Sequence, residues 1–162
     1  MTEVLVRQAI EDDDLEALLR LYVELHEFHA RRLPDRLRIP AVYDDAEVRA
    51  AIAGIVQNGD AALFVLEDAG TLVGLAEVYL RNDEAHPQTV AYTHGYLQSL
   101  VVLPSFRKQG LGKLLTAAAE RWTQEHGGTE LRLSVWEFDE GPLPFYESIG
   151  YRTYKRWVVK SL

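Results

Sequence analysis

Three basic residues surround two glycines in the stretch SFRKQGLGKLL, residues 105–115, where a helix is predicted to begin. Arg107 and Lys108 precede this helix and Lys113 lies in its first turn, although the positive N-terminal end of a helix usually carries Asp or Glu. Each uncompensated positive charge there costs about 0.3–1 kcal/mol, and a bound anion would reverse the sign. Gly110 and Gly112 would let backbone N–H groups approach that anion closely. The pattern predicts a phosphate or pyrophosphate site, although a solvated basic turn would have the same composition.

Two common phosphate-binding loops do not fit this stretch. The Walker A motif needs Ser or Thr directly after its Gly-Lys pair, and here Leu114 follows Gly112 and Lys113. The dinucleotide-binding fingerprint needs a third glycine at the position of Leu115. The loop therefore matches neither of these phosphate sites.

The composition indicates one globular domain, residues 1–162, with a net charge of -8 and no cysteine. The absence of cysteine excludes disulfides, thiolate metal sites and an acyl-cysteine intermediate. No apolar run has the length of a membrane span, and the first residues do not resemble a signal peptide, so we expect a cytoplasmic protein with no membrane partner. The acidic balance argues against a nucleic-acid partner and fits weakly with cationic substrates.

Hydrophobic periodicity predicts an α/β chain with a mixed sheet and helices on its faces. A first strand, residues 3–9, precedes two helices, one with a stripe from Leu15 to His29 and one from Val48 to Val56. The later elements are predicted strands at 61–67, 71–80 and 92–102, the helix after Gly110, a strand at 130–136, a short helix at 142–149 and a last strand at 151–160. A strand joined to the next through a helix implies one parallel pair, and the hairpins imply antiparallel pairing elsewhere.

Two motifs in this order resemble the signatures of the GCN5-related N-acetyltransferase (GNAT) family. The segment RKQGLG, residues 107–112, is similar to the family's Arg/Gln-x-x-Gly-x-Gly/Ala motif, and FYESIGYR, residues 145–152, is similar to its Tyr-Glu-x-Leu-Gly-Phe motif. The resemblance implies the acyl-CoA N-acyltransferase fold, a mostly antiparallel sheet in which strands 96–102 and 130–136 form a splayed parallel pair. It also implies acetyl-CoA as co-substrate.

The resemblance assigns cofactor-binding residues along the central strand and the loop. The backbone of Leu100, Val101 and Val102 would line the pantetheine arm, and an N–H of Val102 could stabilise the developing oxyanion. Asp139 stands where the family often has an asparagine that contacts this arm, and the segment GPLP, residues 141–144, also departs from the family pattern. The pyrophosphate would be held by the backbone of Arg107, Lys108, Gln109, Gly110, Leu111, Gly112 and Lys113.

The implied reaction is direct attack of an amine on the thioester. Tyr146 matches the family's general acid for the departing thiolate, although it could instead anchor the short helix by packing. Gln98 and Ser99 cannot act as the base that other members carry near this position. Glu77 and His94 are the alternatives, although Glu77 could instead be a solvent-facing strand residue and His94 a partly buried strand histidine. A chain of water molecules could also remove the proton.

Three further residues could line the acceptor pocket. His26 and His29 continue the inward stripe of the first helix, and Trp136 ends the strand 130–136, although core and sheet packing would explain all three. The segment HEFH, residues 26–29, is not the metalloprotease motif HExxH, and we expect no metal.

The sequence thus predicts an acetyl-CoA-dependent N-acetyltransferase that modifies a primary amine on a small molecule or a peptide. The alternatives are a non-catalytic acyl-CoA-binding or regulatory module and a binder of another phosphorylated ligand. A homodimer is also possible, and the apolar segment RWVVKSL, residues 156–162, could serve it.

Overall fold

Five strands form one mixed sheet with helices on both faces in a computed structural model that describes residues 4–162. The strands are β1 (Val4–Gln8), β2 (Ala61–Asp68), β3 (Thr71–Asp83), β4 (Tyr92–Val102) and β5 (Leu131–Arg132), and the helices are α1 (Leu15–Ala30), α2 (Asp45–Gln57), α3 (Leu111–Glu125) and α4 (Leu143–Ser148). The spatial order is β1-β2-β3-β4-β5, antiparallel except for the parallel pair β4–β5. The predicted mixed sheet is confirmed. The first strand was predicted over residues 3–9; residue 3 lies outside the described residues, and Ala9 lies beyond the end of β1.

Local capping and amphipathic packing explain the helices. The carboxylate of Asp14 accepts a hydrogen bond from the N–H of Ala17, and Asp44 does the same for α2, so each helix begins at an acidic cap. Both helices pack their apolar stripes, which include Leu18 and Ile52, on one face of the sheet. The apolar stripe of α3 covers the other face. The core therefore lies in two layers, above and below the sheet.

A β-bulge interrupts β4 at Gln98. Glu77 of β3 pairs with Ser99, whereas the next residue, Val78, pairs with Leu97, so Gln98 is the extra residue. Bulges increase the local twist and redirect side chains. This one lies where β4 begins to separate from β5.

The predicted strand 130–136 is wrong in its length, because β5 contains only Leu131 and Arg132. These residues pair with Gly95 and Tyr96 of β4, and the register ends there. Beyond that point the segment 133–136 has no strand partner among the described residues, since β4 separates from it. The splayed parallel pair inferred from the family resemblance is therefore a short pairing of β4 with β5 followed by their separation.

The predicted last strand, residues 151–160, is also wrong for the described chain. The segment after α4 contains no strand, and its side chains from Arg152 to Leu162 are exposed. Its aromatic and β-branched residues favour strands, but that preference expresses packing against a neighbouring strand, and no strand edge among residues 4–162 pairs with it. We refer to residues 152–162 as the C-terminal arm. Among residues 4–162, no helix is long and apolar enough to cross a membrane.

Candidate active site

The loop before α3 presents a run of unpaired backbone N–H groups. Lys108 and Gly110 have positive φ angles of 61° and 78°, which turn the chain sharply before the helix. Among the hydrogen bonds of the described residues, none uses the backbone N–H of Lys108, Gln109 or Gly110 as donor. The N–H groups of Leu111 and Gly112 belong to the first helical turn and have no acceptor within the helix. No acidic side chain lies in that turn, so five consecutive donors and the helix dipole favour an anion.

The side chain of Arg107 faces away from this run of donors. Its Nε donates to the carbonyl oxygen of Val102 at 2.9 Å, and its Nη2 donates to Glu24 of α1 at 2.7 Å. The guanidinium therefore ties the loop to the end of β4 and to α1. The backbone N–H of Arg107 donates to the carbonyl of Pro104 at 3.3 Å, so Arg107, which the family resemblance places among the pyrophosphate-binding residues, is not one of the free donors.

The separation of β4 from β5 opens a gap in the sheet next to this loop. The N–H of Leu103 donates to the carbonyl of Val73 at 2.9 Å, so the polar groups of Val101 point toward β3. Alternation along the strand then turns the N–H groups of Leu100 and Val102 toward the gap. Of the three predicted arm-lining residues, the backbone of two faces the gap and that of Val101 faces β3.

Tyr146 of α4 belongs to the core cluster that also contains Leu111 of α3 and Val102 of β4. It is 8% exposed, and its ring packs edge-on against Phe145 and Tyr151 with centroids 5.1 and 5.6 Å away. None of the hydrogen bonds of the described side chains involves its hydroxyl, and burial raises its pKa above the ordinary value of about 10. The phenol is thus protonated at neutral pH with its donor unused. Gly112 leaves room for this arrangement, because a Cβ there would lie 3.2 Å from Cζ of Phe145.

A buried carboxylate with three hydroxyl donors lies on the opposite face of the sheet. Glu77 is 7% exposed and accepts hydrogen bonds from Tyr22 at 3.0 Å, Tyr79 at 2.6 Å and Ser99 at 2.9 Å. Burial and the adjacent carboxylate raise the pKa of both tyrosines. We call these four residues the Glu77 cluster.

Sequence reasoning did not identify two members of this cluster, Tyr22 and Tyr79. The spacing of Glu77 and Tyr79 places them on one face of β3, which was the available signal. No local pattern connects Glu77 with Tyr22, which lies 55 residues away. The alternative in which Glu77 faces solvent is wrong, because the residue is buried.

His94 lies at the other end of β4. Strands rise about 3.4 Å per residue, so His94 is about 20 Å along β4 from Leu100. Its ring is buried with Nδ1 unpartnered, 3.7 Å from Oδ2 of Asp83, and burial and then the charge of Arg132 lower its pKa. The structure therefore separates His94 from the gap, and Glu77 is the closer of the two predicted bases.

The end of α1 meets the loop after β5 at an aromatic wall. The ring of His29 lies edge-on to Phe28 at 5.2 Å and to Phe138 at 6.1 Å, and its Nδ1 lies 2.9 Å from the carbonyl of Leu25. His26 instead contacts the hydroxyl of Tyr43 in the α1–α2 loop at 3.0 Å, and burial lowers its pKa. These contacts place His29 beside Phe138 and His26 beside the α1–α2 loop, and the role of both histidines in an acceptor pocket stays a prediction.

Two of the residues predicted to bind the acceptor or the cofactor come after β5, and both are exposed. Trp136 is 45% exposed, and Asp139 is exposed in the turn before α4. Neither has a side-chain hydrogen bond among those of the described residues. Within residues 4–162, no three His, Asp or Glu side chains lie close enough together to hold a metal ion.

Comparison with known proteins gives one consistent family. Residues 15–151 match the model of the acetyltransferase (GNAT) family. An aminoglycoside N(6')-acetyltransferase type 1 from Salmonella enteritidis is 32% identical over 85% of this chain and 93% of its own length. Another of the same description, from Klebsiella aerogenes, is 33% identical over 52% of this chain, and the match spans only 55% of the relative's own length.

A solved structure has the same fold as this chain. It is an aminoglycoside acetyltransferase in complex with a bisubstrate analogue, CoA-S-monomethyl-acetylneamine, with a TM-score of 0.76 and 24% identity. The alignment covers 99% of this chain and 98% of that one. At this identity the likeness concerns the fold alone.

Proposed function

The chain belongs to the acetyltransferase (GNAT) family, the class of enzyme predicted from its sequence, and on that premise we propose that it transfers the acetyl group of acetyl-CoA to a primary amine of a small polycationic acceptor. The observation that carries the cofactor assignment is the run of five unpaired N–H groups at residues 108–112, which opens beside the gap between β4 and β5. A pyrophosphate at the loop and an extended arm in the gap would bring the thioester to β4.

Residues of this chain can supply the electrostatic and acid steps. The amine nitrogen attacks the thioester carbon, and the N–H of Val102 stabilises the oxygen as it becomes negative. The carbon–sulfur bond then breaks, and Tyr146 donates its proton to the departing thiolate. The buried ring holds this hydroxyl in place, and its unused donor supports the role.

For the proton that leaves the amine, the Glu77 cluster is better placed than His94. Tyr79 is only partly buried, and its hydroxyl donates directly to Glu77. The Tyr79 oxygen would accept a proton from the amine while the Tyr79 hydroxyl passes its own proton to Glu77. The net result would be the transfer of one proton from the amine to a buried carboxylate. Glu77→Gln would then change the pH dependence of kcat/KM as well as its magnitude, whereas His94→Gln would leave the profile unchanged.

An aminoglycoside-like acceptor is supported by the relatives and by charge. Both relatives described above carry that description, and this chain's net charge of -8 favours a cationic ligand at long range. The wall formed by Phe28, His29 and Phe138 would border the acceptor, with Trp136 near it. A peptide amine remains the alternative acceptor. A cytoplasmic location and a homodimer also belong to this proposal.

The first experiment is calorimetric titration with acetyl-CoA, with desulfo-CoA, ATP and NAD as controls. Micromolar or tighter binding of acetyl-CoA that is lost in Gly112→Val supports the loop assignment, and no binding by the folded protein contradicts the proposal.

The acceptor is tested next with two aminoglycosides that differ only in an amino or a hydroxyl group at the 6' position. We expect release of the CoA thiol with the aminoglycoside that has an amino group at the 6' position and not with the one that has a hydroxyl group there. Release with peptides but with neither sugar contradicts the acceptor class and leaves the acetyltransferase assignment intact. Binding without any turnover favours the non-catalytic module.

A further inference from the structure

The guanidinium of Arg107 takes the place of a strand partner at the end of β4. The polar groups of Val102 face the gap that the separation of β5 leaves open. A backbone carbonyl in this position needs a donor, and Nε of Arg107 supplies one at 2.9 Å. The N–H of the same residue, Val102, is the proposed oxyanion donor. Arg107 therefore restrains the orientation of the residue on which charge stabilisation depends.

The same guanidinium also contacts α1. Its Nη2 donates to Oε1 of Glu24 at 2.7 Å, and its Cζ lies 5.5 Å from the ring centre of Phe28, which is one helical turn further along α1. Arginine can hold a carbonyl and a carboxylate together because its donors point in fixed, separate directions, whereas the ammonium of lysine is a single point charge. One planar group thus joins the cofactor loop, β4 and α1.

The helix α1 carries groups that the proposed function assigns to the acceptor side. Phe28 packs against Phe138 in the aromatic wall, with ring centres 5.9 Å apart. Tyr22 of the Glu77 cluster lies on the same helix and donates to the buried carboxylate at 3.0 Å. Because α1 is one continuous helix of 16 residues, a shift at Glu24 would move these groups together. The position of α1 relative to β4 therefore sets how the acceptor amine meets the thioester.

The exposure of the Arg107–Glu24 pair indicates a role in alignment rather than in stability. The two side chains are 38% and 25% exposed, and ion pairs in contact with water contribute little to the free energy of unfolding. The buried side chains of Leu18 and Leu21 hold α1 on the sheet without this pair. Loss of the pair should therefore leave the fold intact, whereas a displacement of about 1 Å is enough to slow a reaction about a hundredfold.

We propose that Arg107 is a positioning residue for acetyl transfer, which aligns the thioester with the acceptor side through Val102 and Glu24 and does not bind the pyrophosphate. The inference rests on the proposed function and adds a role for a side chain outside the run of free donors at residues 108–112. The backbone of Arg107 is outside that run as well, because its N–H donates to the carbonyl of Pro104 at 3.3 Å.

The test compares Arg107→Lys and Glu24→Ala with the control Glu27→Ala. Glu27 is a second arginine-bound glutamate of α1, 30% exposed, but its partner Arg31 lies on the same helix and not on the cofactor loop. Alanine preserves the helix in both glutamate variants. For each protein we measure kcat and KM with an aminoglycoside that has an amino group at the 6' position, the dissociation constant of acetyl-CoA by calorimetry, and the melting temperature.

We expect kcat to fall by about tenfold to a hundredfold in Arg107→Lys and Glu24→Ala and to stay at the wild-type value in Glu27→Ala. The dissociation constant of acetyl-CoA should rise by no more than about twofold, and the melting temperature should not change, a split that a packing role would not give. The double variant Arg107→Lys/Glu24→Ala should be no slower than the slower single variant, because both changes remove the same alignment.

Three results overturn the proposal. The first is an unchanged kcat in both variants. The second is a loss of acetyl-CoA affinity in Arg107→Lys alone, which would show that the guanidinium binds the anion. The third is a loss of kcat in parallel with a lower melting temperature. Glu24→Ala keeps the proposal falsifiable if Arg107→Lys does not fold. Wild-type protein that fails to bind acetyl-CoA overturns the proposed function as well, whereas turnover by wild type and equal turnover by the variants contradict this inference alone.

Discussion

Replacing Tyr146 by phenylalanine should remove turnover and leave the folded protein intact. The hydroxyl makes no hydrogen bond among the described residues, and the ring, which provides the packing against Phe145 and Tyr151, is retained. The free energy of unfolding should therefore change by no more than about 0.5 kcal/mol. General acid catalysis contributes about 100-fold to 10,000-fold, so kcat should fall by at least about 100-fold, or about 2.7 kcal/mol of barrier.

Tyr151→Phe is the matched control, because its ring centroid lies 5.6 Å from that of Tyr146 and its hydroxyl is used. It donates to the carboxylate of Glu120 at 2.8 Å, and hydrogen bonds to charged groups contribute about 1.5 kcal/mol or more. We expect a melting temperature lower by about 3–6 °C, with kcat within about twofold of wild type. The two variants should thus separate stability from catalysis.

The assay is thiol release from acetyl-CoA at saturating acceptor, together with urea unfolding and acetyl-CoA titration of each variant. Tyr146→Phe with near wild-type turnover refutes the acid role. A loss of stability and acetyl-CoA affinity in parallel with turnover would show that the residue acts as a packing anchor. Because burial raises the pKa of Tyr146 above about 10, its titration should not limit wild-type activity at any lower pH.

Glu77→Gln should lower the free energy of unfolding by about 2 kcal/mol in urea titrations, because the amide cannot accept all three hydroxyl hydrogen bonds; an unchanged midpoint contradicts the observed cluster. Gly112→Val should abolish acetyl-CoA binding in calorimetry, because its side chain would collide with Phe145 only 3.2 Å away; retained affinity would exclude this loop as the anion site. The hydrogen bond from Arg7 lowers the pKa of Asp13, so this pair stabilises the fold above the unfolded value of about 3.9, and its contribution is lost as pH falls through the lower, folded pKa. Asp13→Asn should therefore flatten the acid side of the stability profile in urea titrations, and an unchanged slope would contradict the linkage.

The sequence by itself determined the parts of this protein that depend on neighbouring residues. Asp14 and Asp44 cap their helices through bonds two or three residues away, and Gly110 adopts the positive φ that the loop requires. The basic residues and glycines of 107–113 lie close together in the sequence, so an anion site at this loop could be proposed from their spacing alone. The placement of Tyr146 in a short helix could be predicted from its sequence motif and from the proline at the start of that helix.

Only the tertiary structure decided which distant residues meet. The bulge at Gln98 sets the register that brings Ser99 to Glu77, and the packing of α1 adds Tyr22. Glu24 reaches Arg107 across 83 residues of sequence. These contacts depend on sheet register and helix placement, which local patterns do not encode.

The two failed strand predictions have the same physical cause. The segments 133–136 and 152–160 both have strand composition, yet a strand exists only where a neighbour supplies its hydrogen bonds. Separation of β4 from β5 removes that neighbour from the first segment, and no edge in the described part of the chain supplies one to the second. Composition therefore determined the preference of these residues for extended structure, and the arrangement of the sheet decided that a single chain leaves them unpaired.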